Sequence, residues 1–236
     1  MRTNHAPAWG ERYNDFSHPL FITFEGTEGS GKSTQAAILA QRLRASGYEV
    51  TENQEPGTTS IGKQIRAILL DPGNQEMTGM TELLLMFAAR AQAASEIILP
   101  ALRKGHIVIS DRFTDSTMAY QGYARGVGFE PVRTVHELAV GSLCPDLTLY
   151  IAVDVETGLA RARERNDSTQ AGPREERIDA QSVDFHRRVE EAYHELAELE
   201  PHRFRIVDGR GEPAEVAHRV WNEVSARLPG PELLRK

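Results

Sequence analysis

Five short strand-like runs, Leu20–Phe24, Tyr48–Glu52, Ile107–Ser110, Leu147–Val153 and Phe204–Val207, alternate along the chain with longer segments of helical spacing. Such alternation predicts a parallel sheet covered by helices on its faces. The first helix should begin near Lys32 and stop at Gly47, where Ala45-Ser46-Gly47 supplies a C-terminal stop signal. Thr81–Arg103 reads as one long helix that Pro100 interrupts or kinks late. Its apolar stripe Leu83–Ala89 fits core or a subunit interface. Val155–Arg165 reads as a helix bearing Arg161, Arg163 and Arg165. The polar stretch Asn166–Arg177 contains Gly172-Pro173 and reads as a mobile loop. A helix, a strand and another helix follow it, so the segment at about residues 166–178 is expected to be a lid and not an interdomain linker. The pattern thus predicts one domain over residues 20–228, with a poorly ordered extension at 1–19 and a frayed tail at 229–236.

At 236 residues and 40% hydrophobic content the chain can build a substantial core. A formal charge of −7 gives no general attraction to nucleic-acid backbones and favours a small-molecule substrate. The run Leu83–Ala89 is shorter than the roughly 18 apolar residues of a membrane span. Met1–Pro19 lacks the continuous apolar stretch of a signal peptide. Cys144 is the only cysteine, which rules out an intrachain disulfide and is compatible with a reducing, cytoplasmic setting.

The first strand leads directly into Gly26-Thr-Glu-Gly-Ser-Gly-Lys32-Ser33. Glycines at this spacing let successive backbone N–H groups turn inward around an anion at a helix N-terminus. Lys32 can reach the β- and γ-phosphates and the Ser33 hydroxyl can ligate Mg²⁺, so Gly26, Thr27, Glu28, Gly29, Ser30, Gly31, Lys32, Ser33 and Thr34 form the candidate ATP site. Asp111-Arg112 follows the apolar run Ile107–Ile109, which puts Asp111 at a strand's carboxyl end, beside the phosphate loop. There its carboxylate can be the acidic partner of Mg²⁺, and Arg112 can bridge two phosphates as a fixed fork. Glu55-Pro56-Gly57 lies at the end of the second strand and Arg66 on the helix after it. Thr117 and Gln121, one helical turn apart around Tyr120, offer polar groups suited to a nucleobase and sugar.

These motifs together resemble the thymidylate kinase family. The matching pieces are Phe24 to Thr34, Glu55-Pro-Gly, Glu82-Leu-Leu-Leu through Gln92, Asp111-Arg-Phe, Ala119-Tyr-Gln-Gly-Tyr-Ala-Arg-Gly126, Pro145 to Tyr150, and Arg177-Ile-Asp179, in family order over about residues 20–225. The resemblance implies a three-layer α/β P-loop NTPase fold with a five-stranded parallel sheet and a lid. It implies transfer of the γ-phosphoryl group of MgATP to dTMP in dTTP synthesis by a homodimer. By that likeness Glu28 would sit near the dTMP sugar, Arg66 and Arg112 would hold the acceptor phosphate, and Arg90 would hydrogen-bond the thymine. Thr117 and Gln121 would line the base pocket, Tyr120 would pack by the deoxyribose, and Glu55 and Met86 would complete the acceptor site. Because the phosphate loop carries Glu28 and no arginine, the catalytic cation is expected from the lid. Arg177 is the first choice, Arg174 the second and Arg165 the third, acting with Lys32, Asp111 and Arg112.

Two positions depart from the family pattern. Gln54 stands where bacterial members commonly have arginine, and Met86 where they have a base-stacking phenylalanine. Phe87 is one residue on, about 100° around a helix, which suits core better than substitution for that ring. Two competing readings are a kinase for another nucleoside monophosphate and a nucleotide-hydrolysing switch. The second is disfavoured by the lack of an Asn-Lys-x-Asp guanine-reading motif.

Overall fold

The computed structural model describes residues 19–168, 176–179 and 181–228. The expected N-terminal extension, all but its last residue, the expected tail, and residues 169–175 of the expected lid lie outside the described residues.

The five strands are β1 (Phe21–Glu25), β2 (Val50–Gln54), β3 (Ile107–Asp111), β4 (Leu147–Ala152) and β5 (Phe204–Asp208), close to the boundaries read from the apolar runs. All neighbours pair in parallel, in the order β2-β3-β1-β4-β5. The central strands β1 and β3 are buried along their whole length, which is why they read as unbroken apolar runs and not as alternating ones. On one face α1 (Lys32–Ala45) and α10 (Pro213–Ser225) pack Leu39, Leu43, Val216 and Val220 against the sheet. On the other, α3 (Gly79–Ala93), α6 (Phe129–Val140) and α9 (Val183–Leu199) bring Leu83, Phe87, Val132, Val189 and Tyr193 into a second cluster. This gives the expected three layers.

The stretch expected as one helix over Thr81–Arg103 runs as α3, a π-helical turn over Ala94–Ile98, and α4 (Leu99–Arg103). Pro100 falls just after the π-helical turn, whose wider spacing accommodates a residue with no N–H to donate inside the helix. Continuous helix from Gly79 to Arg103 makes this segment longer than the strict run Leu83–Ala89 suggests. Its 25 residues, with a window of mean hydropathy 1.3, could cross a membrane by length and composition alone. Its inward face is used inside the fold instead, with Leu83 and Phe87 in the core and Glu82 and Arg90 in buried ion pairs.

The register brings three strand ends together. Phe24 and Gln54 both lie opposite Asp111, so the loop after β1, the turn after β2 and Asp111-Arg112 after β3 emerge side by side.

Candidate active site

The loop between β1 and α1 turns on glycines. Gly31 caps α1 with φ 94° and Gly29 has φ 66°, conformations that favour glycine. A Cβ on Gly29 would also lie 2.0 Å from the carbonyl oxygen of Gly158, on α7 (Val155–Ser168), so two glycines let that helix seat against the phosphate loop. Lys32 Nζ folds back into the loop and donates to Thr27 O at 2.6 Å and Ser30 Oγ at 3.3 Å. Burial first, then the nearby Arg112 charge, bring its pKa down to about 8. Beside it the Ser33 hydroxyl donates to Asp111 Oδ2. A hydroxyl and a carboxylate meeting at the loop's mouth are the hard oxygen donors that suit Mg²⁺. Gly26, Thr27 and Ser30 build the loop, and Thr34 sits exposed in the first turn of α1.

Arg112 is the hinge between the loop and the acceptor side. Its backbone adopts φ 70°, the only non-glycine residue with positive φ among the described residues, and its N–H is held by Phe24 O at 3.0 Å. Nη1 donates to Gly26 O at 3.2 Å and Ser116 Oγ at 2.9 Å, while Nη2 reaches Glu28 Oε1 at 3.3 Å and Tyr120 OH at 3.4 Å. Glu25 supports this from behind: its carboxylate accepts from Phe113 N at 2.8 Å and Ser116 Oγ at 2.5 Å. Burial and then Asp115 push Glu25 up to about 7.

Glu28 gathers several contacts. Tyr120 OH donates to Oε1 at 2.6 Å, and His186 Nδ1 lies 3.1 Å from Oε2. Burial would raise this carboxyl, but His186, Arg112 and Lys32 together hold it near 2. Arg90 is fixed on every side. Nε donates to Glu55 Oε2 at 2.6 Å, Nη1 to Thr117 Oγ1 at 3.0 Å and Nη2 to Phe113 O at 3.0 Å, with the Phe87 and Phe113 rings 4.6 and 5.1 Å from the guanidinium carbon. Phe87 is therefore core, and Met86, next to it, faces the cleft.

One cleft is lined by Glu28, Glu55, Arg66, Met86, Arg90, Arg112, Thr117, Tyr120 and Gln121, all the residues that the resemblance implied for the acceptor. It continues to Gly29, Lys32, Ser33 and Asp111. Arg66 is steadied by donation to Pro56 O at 2.7 Å, and Gln121 by donation to Glu82 Oε1 at 2.7 Å. Thr117 and Gln121 do not share a regular α-helix: α5 (Thr114–Thr117) passes into a π-helical stretch, Met118–Ala124, that keeps both on the cleft.

The first-choice lid cation is placed elsewhere. Arg177, in the short helix α8 (Glu176–Asp179), is buried away from the cleft, donating to Leu69 O, in α2 (Ser60–Leu70), and to Glu82 Oε2. Helical period turns its neighbour Ile178 to the cleft instead. Arg174 and the Arg165 side chain lie outside the described residues. Sequence reasoning also missed three groups. Ile178 carried no signal, and Ser116 had only its four-residue spacing from Arg112. His186, on α9, looks in sequence like any residue of an amphipathic helix.

A P-loop at a parallel sheet's carboxyl edge, an acidic residue beside its serine, and an arginine-lined cleft opening from its lysine define a P-loop phosphotransferase of the nucleotide kinase class. Residues 24–220 match the family model for thymidylate kinase. The chain is 52% identical over 204 residues to thymidylate kinase of Pelobacter propionicus, covering 86% of this chain and 93% of the relative. It is 49% identical over 212 residues to that of Trichlorobacter lovleyi, covering 90% and 100%. A crystal structure of thymidylate kinase from Ehrlichia chaffeensis superposes with a TM-score of 0.70 at 30% identity, covering 88% of this chain and 99% of that one. The chain belongs to the thymidylate kinase family.

Proposed function

We propose that this chain transfers the γ-phosphoryl group of MgATP to dTMP, giving dTDP and ADP. The observation that carries the reading is one continuous cleft whose lining runs from the Arg90–Glu55 pair to Lys32 and Asp111. An acceptor phosphate oxygen attacks the γ-phosphorus, the bond to the β–γ bridging oxygen breaks, and ADP leaves with that electron pair. The protein's work is alignment and charge neutralisation. Arg66 and Arg112 hold the acceptor phosphate, and Lys32 swings from Thr27 O to the donor phosphates. Ser33 and Asp111 would hold Mg²⁺, whose contribution is neutralisation of charge on the β- and γ-phosphates. Arg90 presents its remaining N–H groups to the thymine. Met86 covers the base, and Glu28 with Tyr120 faces the sugar. Arg174 supplies the lid cation, while Arg177 fastens the lid to α2 and α3.

The testing experiment is MgATP with each nucleoside monophosphate in turn. We expect dTMP to give the highest kcat/KM, since an arginine facing the cytosine amino group leaves buried donors unpaired, a loss that can reach roughly 10⁴-fold. Equal kcat/KM for dCMP and dTMP overturns the pocket assignment. Nucleotide-dependent partner binding without phosphoryl transfer to any acceptor overturns the enzyme reading.

The protein is proposed to act in the cytoplasm as a homodimer. Leu83 and Phe87 of the apolar stripe are core, but Ile61, Ile68, Met80 and Leu84 on the packed pair α2 and α3 are 44–52% exposed and offer the dimer face. Light scattering at micromolar concentration checks it: the expected mass is twice that of the chain.

A further inference from the structure

The environment of His186 stands apart from the other buried polar groups. The side chain is fully buried, and neither ring nitrogen has an aligned hydrogen-bond partner among the described residues. Glu28 Oε2 is in the same condition, and it is the atom that His186 Nδ1 approaches to 3.1 Å. A buried polar atom without an aligned partner is costly, so two such atoms at hydrogen-bond distance call for an explanation.

The rest of the surroundings assigns direction. Glu28 Oε1 is already engaged by Tyr120 OH and Arg112 Nη2, so Oε2 alone is left for His186. An imidazole carrying a proton on Nδ1 would donate to Oε2 and fix the orientation of the carboxylate. Phe185, the preceding residue, packs edge-on against the Tyr120 ring at 6.2 Å, so α9 touches both members of the Glu28–Tyr120 pair. Ser182 caps α9 three residues after Asp179, the end of α8. The lid's return to the fold and the phosphate-loop carboxylate are therefore joined through one buried ring.

We infer that His186 is a positioning residue that orients the Glu28 carboxylate toward the sugar hydroxyl of the acceptor nucleotide. This rests on the proposed acceptor site. Its role is specificity for the sugar, exercised through Glu28, and not contact with the reacting phosphates.

The test compares His186→Leu, which removes the donor at similar volume, with His186→Asn, which keeps an N–H near the Nδ1 position. His186→Leu should raise KM for the nucleoside monophosphate acceptor about tenfold, as loss of a hydrogen bond to a charged group does, with kcat and KM for ATP within about threefold. His186→Asn should restore most of that loss. In a Glu28→Gln background His186→Leu should add little, because the two act as a unit. Equal effects of His186→Leu with and without the Glu28 carboxylate, or equal loss for Leu and Asn, overturn the assignment. Since either histidine variant could also disturb folding, the ¹⁵N resonance of His186 Nδ1 is compared in the unsubstituted protein and in Glu28→Gln. A shifted Nδ1 signal supports the contact, and an unchanged one overturns it. That measurement needs no acceptor, so it stands or falls independently of whether dTMP is the preferred one.

Discussion

Arg177 of the lid helix and Glu82 in the first turn of α3 form a buried ion pair, with side chains 3% and 2% exposed. Glu82 also accepts from Gln121 at 2.7 Å and lies 3.4 Å from Arg125, whereas among the described residues the Arg177 side chain meets this carboxylate and the Leu69 carbonyl. The two ends of the pair are thus unequal. Arg177→Met leaves Glu82 with two partners, while Glu82→Leu leaves a buried guanidinium without its counter-charge. Breaking a buried pair in that way costs about 3–5 kcal/mol. Glu82→Leu should therefore lower Tm much more than Arg177→Met, and the double variant should recover part of the difference. Thermal unfolding of the three variants checks this, and equal Tm losses for the two single changes would contradict it.

Met86→Phe should be tolerated and should tighten acceptor binding. Met86 lines the cleft while Phe87 fills the core beside it, so the larger ring has cleft space to enter. Stacking on the base is worth on the order of 1 kcal/mol, roughly a fivefold fall in KM for dTMP. A lower Tm with unchanged KM would remove Met86 from the site.

The alignment of α7 with the phosphate loop predicts a sensitive glycine outside any nucleotide motif. A Cβ on Gly158 would stand 2.5 Å from Glu28 O, a backbone atom that cannot swing aside. Gly158→Ala must displace either α7 or the loop, at a cost of about 1–3 kcal/mol. Because the loop serves both substrates, KM should rise for ATP and for dTMP together. Unchanged KM for both substrates would show that α7 yields and the loop does not.

Lys32 predicts a pH limit. With burial and Arg112 holding its pKa at about 8, the ammonium is complete below that pH and is lost as pH rises through it. The neutral amine cannot pair with phosphate. Since kcat/KM reports groups of the free enzyme, kcat/KM for ATP should fall with an apparent pKa near 8. Lys32→Arg, permanently charged, should abolish that fall even if its activity is lower. A profile flat to roughly pH 9.5 would show that the lysine is better solvated than its burial implies.

The fold was legible wherever a local signal and the sheet's requirements coincided. An apolar run ending in Asp111 could only deliver that carboxylate to the sheet's carboxyl edge, and the register places it between Phe24 and Gln54. Gly26–Ser33 was legible because its geometry is made by backbone alone. Contacts across the fold were not. Nothing in the sequence says that Arg90 would meet Glu55, 35 residues away, or that His186 would reach Glu28 across the site. The π-helical turns were hidden too, because a seven-residue run such as Met118–Ala124 has helical composition whether it closes four-residue or five-residue hydrogen bonds. Arg177 shows the same limit in another form: the motif marks an arginine that matters, and only packing tells which way it points.

That placement decides the remaining prediction, on the lid cation. Charge on the transferring phosphoryl group must be neutralised beyond what Lys32 and Arg112 provide, and Glu28 brings none. Arg177 is held by Leu69 O and Glu82, and releasing it would break a buried ion pair and open α8 from α2. Arg174, outside the described residues, stands three positions nearer the centre of the loop in sequence. Arg174→Ala should then lower kcat by roughly 10³-fold, as removal of a phosphoryl-neutralising arginine does, with Kd for ATP and dTMP within a few-fold. Its Tm should not move. Arg177→Ala should show the opposite pattern, a lower Tm with the larger kinetic effect on KM. Should Arg177→Ala instead abolish kcat at normal Tm while Arg174→Ala stays active, the Glu82 pair must break during turnover and Arg177 is the cation after all. Near-normal kcat in both variants and in their double would leave Arg112 to carry the charge alone.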